Sequence, residues 1–221
     1  MITLKNVSRT YQSQGKEPVQ ALRDVSLEIE PNSFIAVTGP SGCGKSTMLH
    51  LLGSLDVPDS GEINVGNVAL HAATEEEKVR YRREDTGIIF QFFNLLPTMD
   101  VRENAALPLL LQGVRTKDAH EKADRLLDLV GLTERAGHFP HELSGGEMQR
   151  TAIARALIHD PVLVLADEPT GNLDTRNADR VLDVFRKIHA EALTTLIVVT
   201  HSEDVAAIAD RRIAMEDGRV V

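Results

Sequence analysis

The run "FIAVTGPSGCGKSTMLHLLG" (residues 34–53) constrains the fold more than any other stretch of the chain. Its first five residues are apolar or nearly so without alternation, as in a strand buried on both faces of a helix-covered parallel sheet. The last six read as an apolar helix. Between them, residues 39–46 match G-x-x-x-x-G-K-[ST], in the strand–loop–helix context that pattern requires. Small residues let the backbone curl so that successive N–H groups point inward as an anion nest. The helix N-terminus adds its partial positive charge. In such a loop Lys45 reaches the β- and γ-phosphates of a nucleotide and the Ser46 hydroxyl ligates Mg²⁺. A glycine-rich turn with no ligand is the bland alternative, and the correct flanks on both sides argue against it. Cys43 falls at a variable position of the pattern and reads as inert filler, with an oxidant-sensitive thiol as the alternative.

Two further runs, residues 162–166 and 196–200, are also continuously apolar. Each precedes a loop carrying Gly, Asp, Glu or His and then a helical pattern, and ligands of such sheets bind beyond the carboxyl ends of the strands. In "VLVLADEPTGNLD" the strand is expected beside the phosphate-loop strand, which makes Asp167 a carboxylate that holds Mg²⁺ directly or through a bound water, and not merely a solvated turn or cap residue. Glu168, one residue on, is positioned as general base toward an attacking water. Hydrolysis is the expected chemistry, because no acceptor-binding motif is evident.

Ahead of this core the chain reads as short strands. Ile2 and Leu4 alternate, as do Val25, Leu27 and Ile29, and "EINVGNVALH" reads as a hairpin bending at Gly66-Asn67. A second hairpin is expected around Asp217-Gly218. From about residue 94 to 156 only helices are expected. One is capped by Thr116, with Ala119, Ala123, Leu126, Leu127 and Val130 on its apolar face and Gly131 at its end.

That region ends in "ELSGGEMQR" (residues 142–150). Ser144 and Glu147 have capping-box spacing, opening a helix whose apolar face is Met148, Ala152, Ile153, Ala156 and Leu157. A cap does not explain Gly145-Gly146, since two glycines in a first turn carry an entropic cost. They make sense where something approaches the backbone N–H groups closely. One triphosphate cannot easily fill two loops at opposite ends of a molecule, so this second loop is read as serving the nucleotide of a second copy.

Composition narrows the classes. At 221 residues and 42% apolar content one compact domain is expected. A formal net charge of −9 argues against a nucleic-acid binder that relies on a basic surface. The single cysteine forms no internal disulfide. The start lacks a signal-peptide apolar region and no apolar run is long enough to span a bilayer. The expectation is a cytoplasmic protein whose membrane business goes through a partner.

These motifs, in this order along essentially the whole chain, resemble the nucleotide-binding subunit of an ATP-binding cassette (ABC) transporter, with the LSGG run at residues 143–146 as its signature. The resemblance implies an α/β fold: a P-loop NTPase (RecA-like) core with a mainly parallel sheet, an N-terminal antiparallel β subdomain and an inserted helical subdomain. The subdomain bounds it suggests are 1–93 with 157–221, and 94–156. It assigns Gly39, Pro40, Ser41, Gly42, Cys43, Gly44, Lys45, Ser46 and Thr47 to the Walker A loop. Tyr11 fits the aromatic that stacks on adenine, with Val19 nearby. Gln91 fits the Q-loop glutamine, a Mg²⁺ ligand linking the site to the helical subdomain. Asn172, Leu173 and Asp174 fit the D-loop, and His201 the switch histidine at the γ-phosphate.

The family arrangement is a head-to-tail dimer around two Mg-ATP, each site joining one chain's Walker motifs to the other's Ser144, Gly145 and Gly146. The fifth signature residue is Glu147, where many members have Gln. "FNLLPTMDVRENAALPLLLQG" after Gln91 resembles the subfamily of macrolide exporters and lipoprotein-release systems, which implies a separate integral membrane permease. Most of Leu95, Leu96, Leu109, Leu110 and Leu111 are expected in the core of the helical subdomain, and some of them in a groove for a permease helix. An ATP-driven regulator of envelope enzymes would use the same motifs. A DNA-repair or translation cassette would need a long coiled coil or tandem cassettes, and a plain P-loop kinase would leave Ser144, Gly145 and Gly146 without a role.

Overall fold

The computed structural model describes residues 1–12, 15, 17–191 and 194–221. In chain order the first half contains β1 (Ile2–Tyr11), β2 (Val19–Ile29), β3 (Phe34–Thr38), α1 (Lys45–Leu52), β4 (Ser60–Val65), β5 (Val68–Ala69), α2 (Glu75–Glu84) and β6 (Thr86–Ile89). Then come α3 (Val101–Leu111), α4 (Thr116–Leu129), α5 (Gly145–Leu157), β7 (Leu163–Asp167) and α6 (Thr175–Ala190). The chain closes with β8 (Thr195–Val199), α7 (Glu203–Ala207), β9 (Arg211–Glu216) and β10 (Arg219–Val220).

Two sheets organise these elements. The antiparallel one has the order β2-β1-β4-β5, and the other the order β10-β9-β3-β8-β7-β6. In the second, β9, β3, β8, β7 and β6 pair in parallel and only β10 runs against its neighbour. The unalternating apolar runs follow from what covers its faces. Phe34, Val164, Ala166, Leu196 and Val198 point into a core shared with α3, α4, α5 and α6. Ile35, Val37, Leu163, Leu165, Ile197 and Val199 point the other way, into a core with α1 and the antiparallel sheet. Because side chains alternate across a strand, a strand covered on both sides must be apolar at every position.

The helices behave as amphipathic surfaces packed on that sheet. On α4, Ala119, Ala123 and Leu127 are fully buried, with Val130 just beyond its end. On α6, Val181, Leu182, Val184, Phe185 and Ile188 form the buried stripe. Helix α5 is enclosed on more than one side, so Gln149, Arg150 and Thr151 are buried beside Ala152, Ile153 and Ala154.

Several expectations need correction. The acidic strand β7 is not the direct neighbour of the phosphate-loop strand β3, because β8 lies between them. Thr116 is the first residue of α4 and not its cap: the capping position is Arg115, and no side chain closes that end. Val162 is 55% exposed, because β7 begins only at Leu163. Met148 is only partly buried, its place on the inner face being taken by the neighbouring Gln149. Both hairpins form, β4–β5 across Gly66-Asn67 and β9–β10 across Asp217-Gly218. Helix α2 and strand β6, however, lie where no element was expected.

Asn104 fixes the segment that leads from the sheet into the helical region. It is fully buried on α3. Its Nδ2 donates to the carbonyls of Leu96, Met99 and Asp100 at 3.0, 2.9 and 3.0 Å, and its Oδ1 accepts from the Leu96 N–H at 2.8 Å. Asn104→Ala would leave these groups without their partner in the interior, so denaturant unfolding should show a loss of about 1–3 kcal/mol. An unchanged midpoint would show that water or another group replaces the amide.

Candidate active site

Helix α1 begins at Lys45, preceded by Gly44 with φ 105. A side chain at Gly44 would run into the carbonyl oxygen of Ala21 as well as adopting a left-handed backbone. The first turn of α1 has neither a side-chain cap nor an acidic residue. Its free N–H groups are therefore left for an incoming anion. Lys45 is 6% exposed, and its ammonium donates to the carbonyls of Gly39 and Pro40 at 2.9 Å each. Among the described residues it pairs with no carboxylate. A shielded cation held only by neutral carbonyls is chemically ready for an anionic ligand. Cys43 is 4% exposed, with its Sγ 3.9 Å from the Lys45 Nζ, and it packs into the apolar core beside α1. This burial fits filler and not a surface thiol open to oxidants.

At the carboxyl end of β7 stand Asp167 and Glu168. Glu168 has φ 45, a left-handed conformation that is strained for a residue with a Cβ. Its N–H donates to the Val199 carbonyl at 2.9 Å, which fixes the turn against β8. Its Oε2 accepts from the His201 N–H at 3.2 Å. The His201 Nε2 is 3.3 Å from Oε1 but lacks hydrogen-bond alignment, so Oε1 remains a buried acceptor with no partner.

These groups face one cleft of about 500 Å³, lined by Ser41, Gly42, Lys45, Ser46, Gln91, Asp167, Glu168, Gly171, Val199 and His201. It therefore gathers the phosphate loop, the acidic strand end, the glutamine and the histidine from four separate stretches of sequence. The donor set suits Mg²⁺, a hard cation that takes oxygen ligands and keeps several from water and phosphate. Ser46, Gln91 and Asp167 offer a hydroxyl, an amide carbonyl and a carboxylate. The Glu168 carboxylate lines the same cleft, with Oε1 closed off from solvent beside His201 Nε2.

Other expected residues lie elsewhere. Ser144, Gly145 and Gly146 are not among the lining residues. Ser144 is exposed and caps α5: its Oγ accepts from the Glu147 N–H at 3.3 Å, while Glu147 Oε2 accepts from the Ser144 N–H at 2.9 Å. Burial opposes ionisation of Glu147, but the Ser144 N–H and hydroxyl, together with Arg135 at 3.0 Å, outweigh it and hold the carboxyl below its usual range. Gly146 has an intramolecular reason as well, since a side chain there would collide with that of Asn177 on α6. The reading that only a ligand explains both glycines is corrected to that extent. Tyr11 and Val19 pair across the β1–β2 ladder, 37% and 63% exposed, outside the cleft.

Some of the contacts that hold the site together had no readable signal. Asn172 Nδ2 donates to the Gln91 carbonyl at 3.3 Å, tying the two loops. Arg155, on α5, donates to the carbonyls of Phe93 and Asn94 at 2.9 and 2.6 Å, which latches the segment after Gln91 to the signature helix. Tyr11 is also held in place: its hydroxyl donates to Asp56 Oδ2 at 2.8 Å and the Arg9 guanidinium lies 5.0 Å from its ring centroid. No sequence period marks such contacts.

Residues 22–171 match the ABC transporter family. The chain belongs to that family. The cassette is 44% identical over 221 residues to lipoprotein-releasing system ATP-binding protein LolD 1 of Rhodopirellula baltica, covering 100% of this chain and 96% of the relative. It is 45% identical over 221 residues to the macrolide export ATP-binding/permease protein MacB of Chlorobaculum tepidum, all of this chain matching 34% of that longer protein. Among solved structures, a post-hydrolysis dimer of the ATP-binding cassette MJ0796 bound to ADP and Pi superposes with a TM-score of 0.91 at 39% identity, covering 100% and 96% of the two chains. The protein is thus an ATP-binding, ATP-hydrolysing cassette, and Mg²⁺ is its metal.

Among the described residues, Lys45 is the only side chain lining the cleft that carries a permanent positive charge. Lys45→Ala should therefore abolish tight Mg-ATP binding in a titration with labelled nucleotide, and an unchanged affinity would remove the phosphate-loop assignment.

Proposed function

We propose that the cassette is the ATPase engine of a transporter that exports or extracts a substrate from a bacterial envelope through a separate integral membrane permease. It would work as a head-to-tail pair at the inner face of the cell membrane. The observation that carries this reading is that the nucleotide cleft is only half built. Ser41, Gly42, Lys45, Ser46, Gln91, Asp167, Glu168 and His201 share it, whereas the exposed Ser144 and the two glycines after it stand outside. A second copy in the opposite sense would supply its own Ser144, Gly145 and Gly146 to the open side.

In this reading the nest formed by Gly39, Pro40, Ser41, Gly42, Cys43, Gly44, Lys45, Ser46 and Thr47 grips the phosphates, and Tyr11 with Val19 bears on the base. Mg²⁺, which Ser46, Gln91 and Asp167 would hold, offsets negative charge on the phosphate oxygens when bound. Glu168 orients a water and takes its proton. His201, whose N–H already holds the other Glu168 oxygen, senses the γ-phosphate. Gln91 couples occupancy of the cleft to the helical region through Asn172 and through the segment latched by Arg155.

The permease contact is supported by an apolar groove of about 350 Å³ beside Phe90, next to Gln91. Val79 of α2, Ile88 of β6 and Leu107, Pro108 and Leu111 of α3 line it, with Val79 49% and Leu111 72% exposed. Of the five leucines from which some lining was expected, Leu111 alone contributes; Leu109 is buried in the core. Among the described residues no helix is long and apolar enough to cross a membrane, so the groove offers a means of engaging a membrane-embedded partner.

Glu168→Gln should slow hydrolysis by roughly 10²-fold or more, the usual worth of a general base, while ATP still binds and the variant elutes as a dimer with Mg-ATP. A persistent monomer at high protein concentration would count against the shared site. Ser144→Arg should leave ATP binding by the isolated chain intact and stop turnover. Weakened binding by the monomer would instead mean that Ser144 acts within its own chain. Leu111→Glu should preserve the ATPase rate of the cassette alone and lose stimulation by the reconstituted permease, and retained stimulation would exclude the groove.

A further inference from the structure

Helices α5 and α6 make their first contact where Gly146 meets Asn177. Arg150 lies four residues beyond Gly146 and Arg180 three beyond Asn177, so helical geometry stacks both arginines on the same seam, one turn further along. Like charges are thereby brought together across a helix interface. Arg150 is only 7% exposed, and its Nε is sealed from solvent with no hydrogen-bond partner. Among the described residues neither Arg150, Arg180 nor Lys187, a further two turns along α6, forms an ion pair. The nearby acids are committed elsewhere: Glu147 to Ser144 and Arg135, Asp183 to Arg186 at 2.7 Å. Glu134 also faces the space, without a cation partner. Burial, and after it the charge of Arg180, pull the Arg150 guanidinium below its ordinary range, against a smaller opposing effect of the Glu147 charge.

The seam opens into a cleft of about 680 Å³, lined by Arg135, Arg150, Arg180 and Lys187 together with Glu134, Glu147 and Asp183. It is separate from the nucleotide cleft and shares no lining residue with it. A shielded guanidinium without a carboxylate is stable only if an anion or ordered water meets it. Three uncommitted cations call for more charge than one carboxylate carries. We propose that this cleft is a second binding site, for a phosphate-class oxyanion, with Arg150 at its floor and the exposed Arg180 and Lys187 at its rim. Planar guanidinium groups pair with such oxyanions through two parallel N–H bonds. The bound anion ties α5, which starts at the signature serine, to α6, which starts just after Asp174, and so stiffens the two loops relative to each other.

The test uses the full chain carrying Lys45→Ala, which disables the nucleotide cleft. Inorganic phosphate is titrated against chloride at matched ionic strength, with phosphorus NMR line broadening and melting temperature as readouts. Saturable broadening and a rising melting temperature are expected. Adding Arg180→Glu should raise the phosphate concentration needed for either response by about tenfold or more, the worth of a hydrogen bond to a charged group. That variant should also melt higher than its parent in phosphate-free buffer, because its carboxylate supplies the charge that Arg150 lacks. An equal phosphate response with and without Arg180→Glu, no response in either chain, or a lower melting temperature for Arg180→Glu in phosphate-free buffer overturns the proposal. ADP is titrated separately, and an Arg180-dependent response to ADP without one to phosphate overturns the assignment to a free oxyanion.

Discussion

In-register parallel pairing of β3, β8, β7 and β6 is the constraint from which the active site follows. Val37 pairs with Val199, Val199 with Asp167, and Ile89 with Ala166. The carboxyl ends of four strands separated widely in sequence therefore lie along a single rim. Each strand hands its chain to a loop at that rim, so Lys45, Gln91, Asp167 with Glu168, and His201 converge although no two of these stretches are adjacent. Backbone bonds continue the register past the strands: the Glu168 N–H reaches the Val199 carbonyl, and the Thr200 N–H reaches Val37. A slip of one residue in any pair would turn its apolar set from one core to the other. Packing on both sheet faces thus protects the geometry of the chemistry.

The same architecture leaves the signature loop apart. Ser144 caps α5 from the outer side of the helical region, and Gly146 lets α5 approach α6 at Asn177. The capping box and the close helix contact are intramolecular duties that the loop performs in a lone chain. They also fix the direction in which Ser144 and the first-turn N–H groups of α5 are presented. A helix N-terminus so exposed is a ready partner for phosphate, and the similar MJ0796 cassette is a dimer with ADP and Pi bound. The Arg155 latch then gives the signature helix a direct mechanical link to the segment after Gln91.

Legibility in the sequence tracked how strongly an element's pattern depends on burial. β3, β7 and β8 were readable because both faces are covered, and the phosphate loop with Asp167 and Glu168 because phosphate and water chemistry restrict residue type, whereas Gln91 and His201 were assigned only through the family resemblance. Helix α2 was not, since "EEEKVRYRRE" buries only Tyr81 and so shows no apolar stripe, although Thr74 and Glu77 form a capping box that a closer look at spacing would find. β6 is four residues long and too short for a period to emerge. Thr116 misled because a capping residue type does not make a cap when the preceding Arg115 already holds that position. The asparagine and arginine ties at Asn104, Asn172 and Arg155 depend on carbonyls brought close by the fold, which no local pattern reveals.

In the proposed arrangement each nucleotide is gripped by one chain and completed by another, and a structure of the Glu168→Gln chain with Mg-ATP tests this outright. Two nucleotides should lie buried between two copies, each with Lys45 of one copy and Ser144, Gly145 and Gly146 of the other at the same triphosphate. A structure in which those three residues lie far from every bound triphosphate would contradict it.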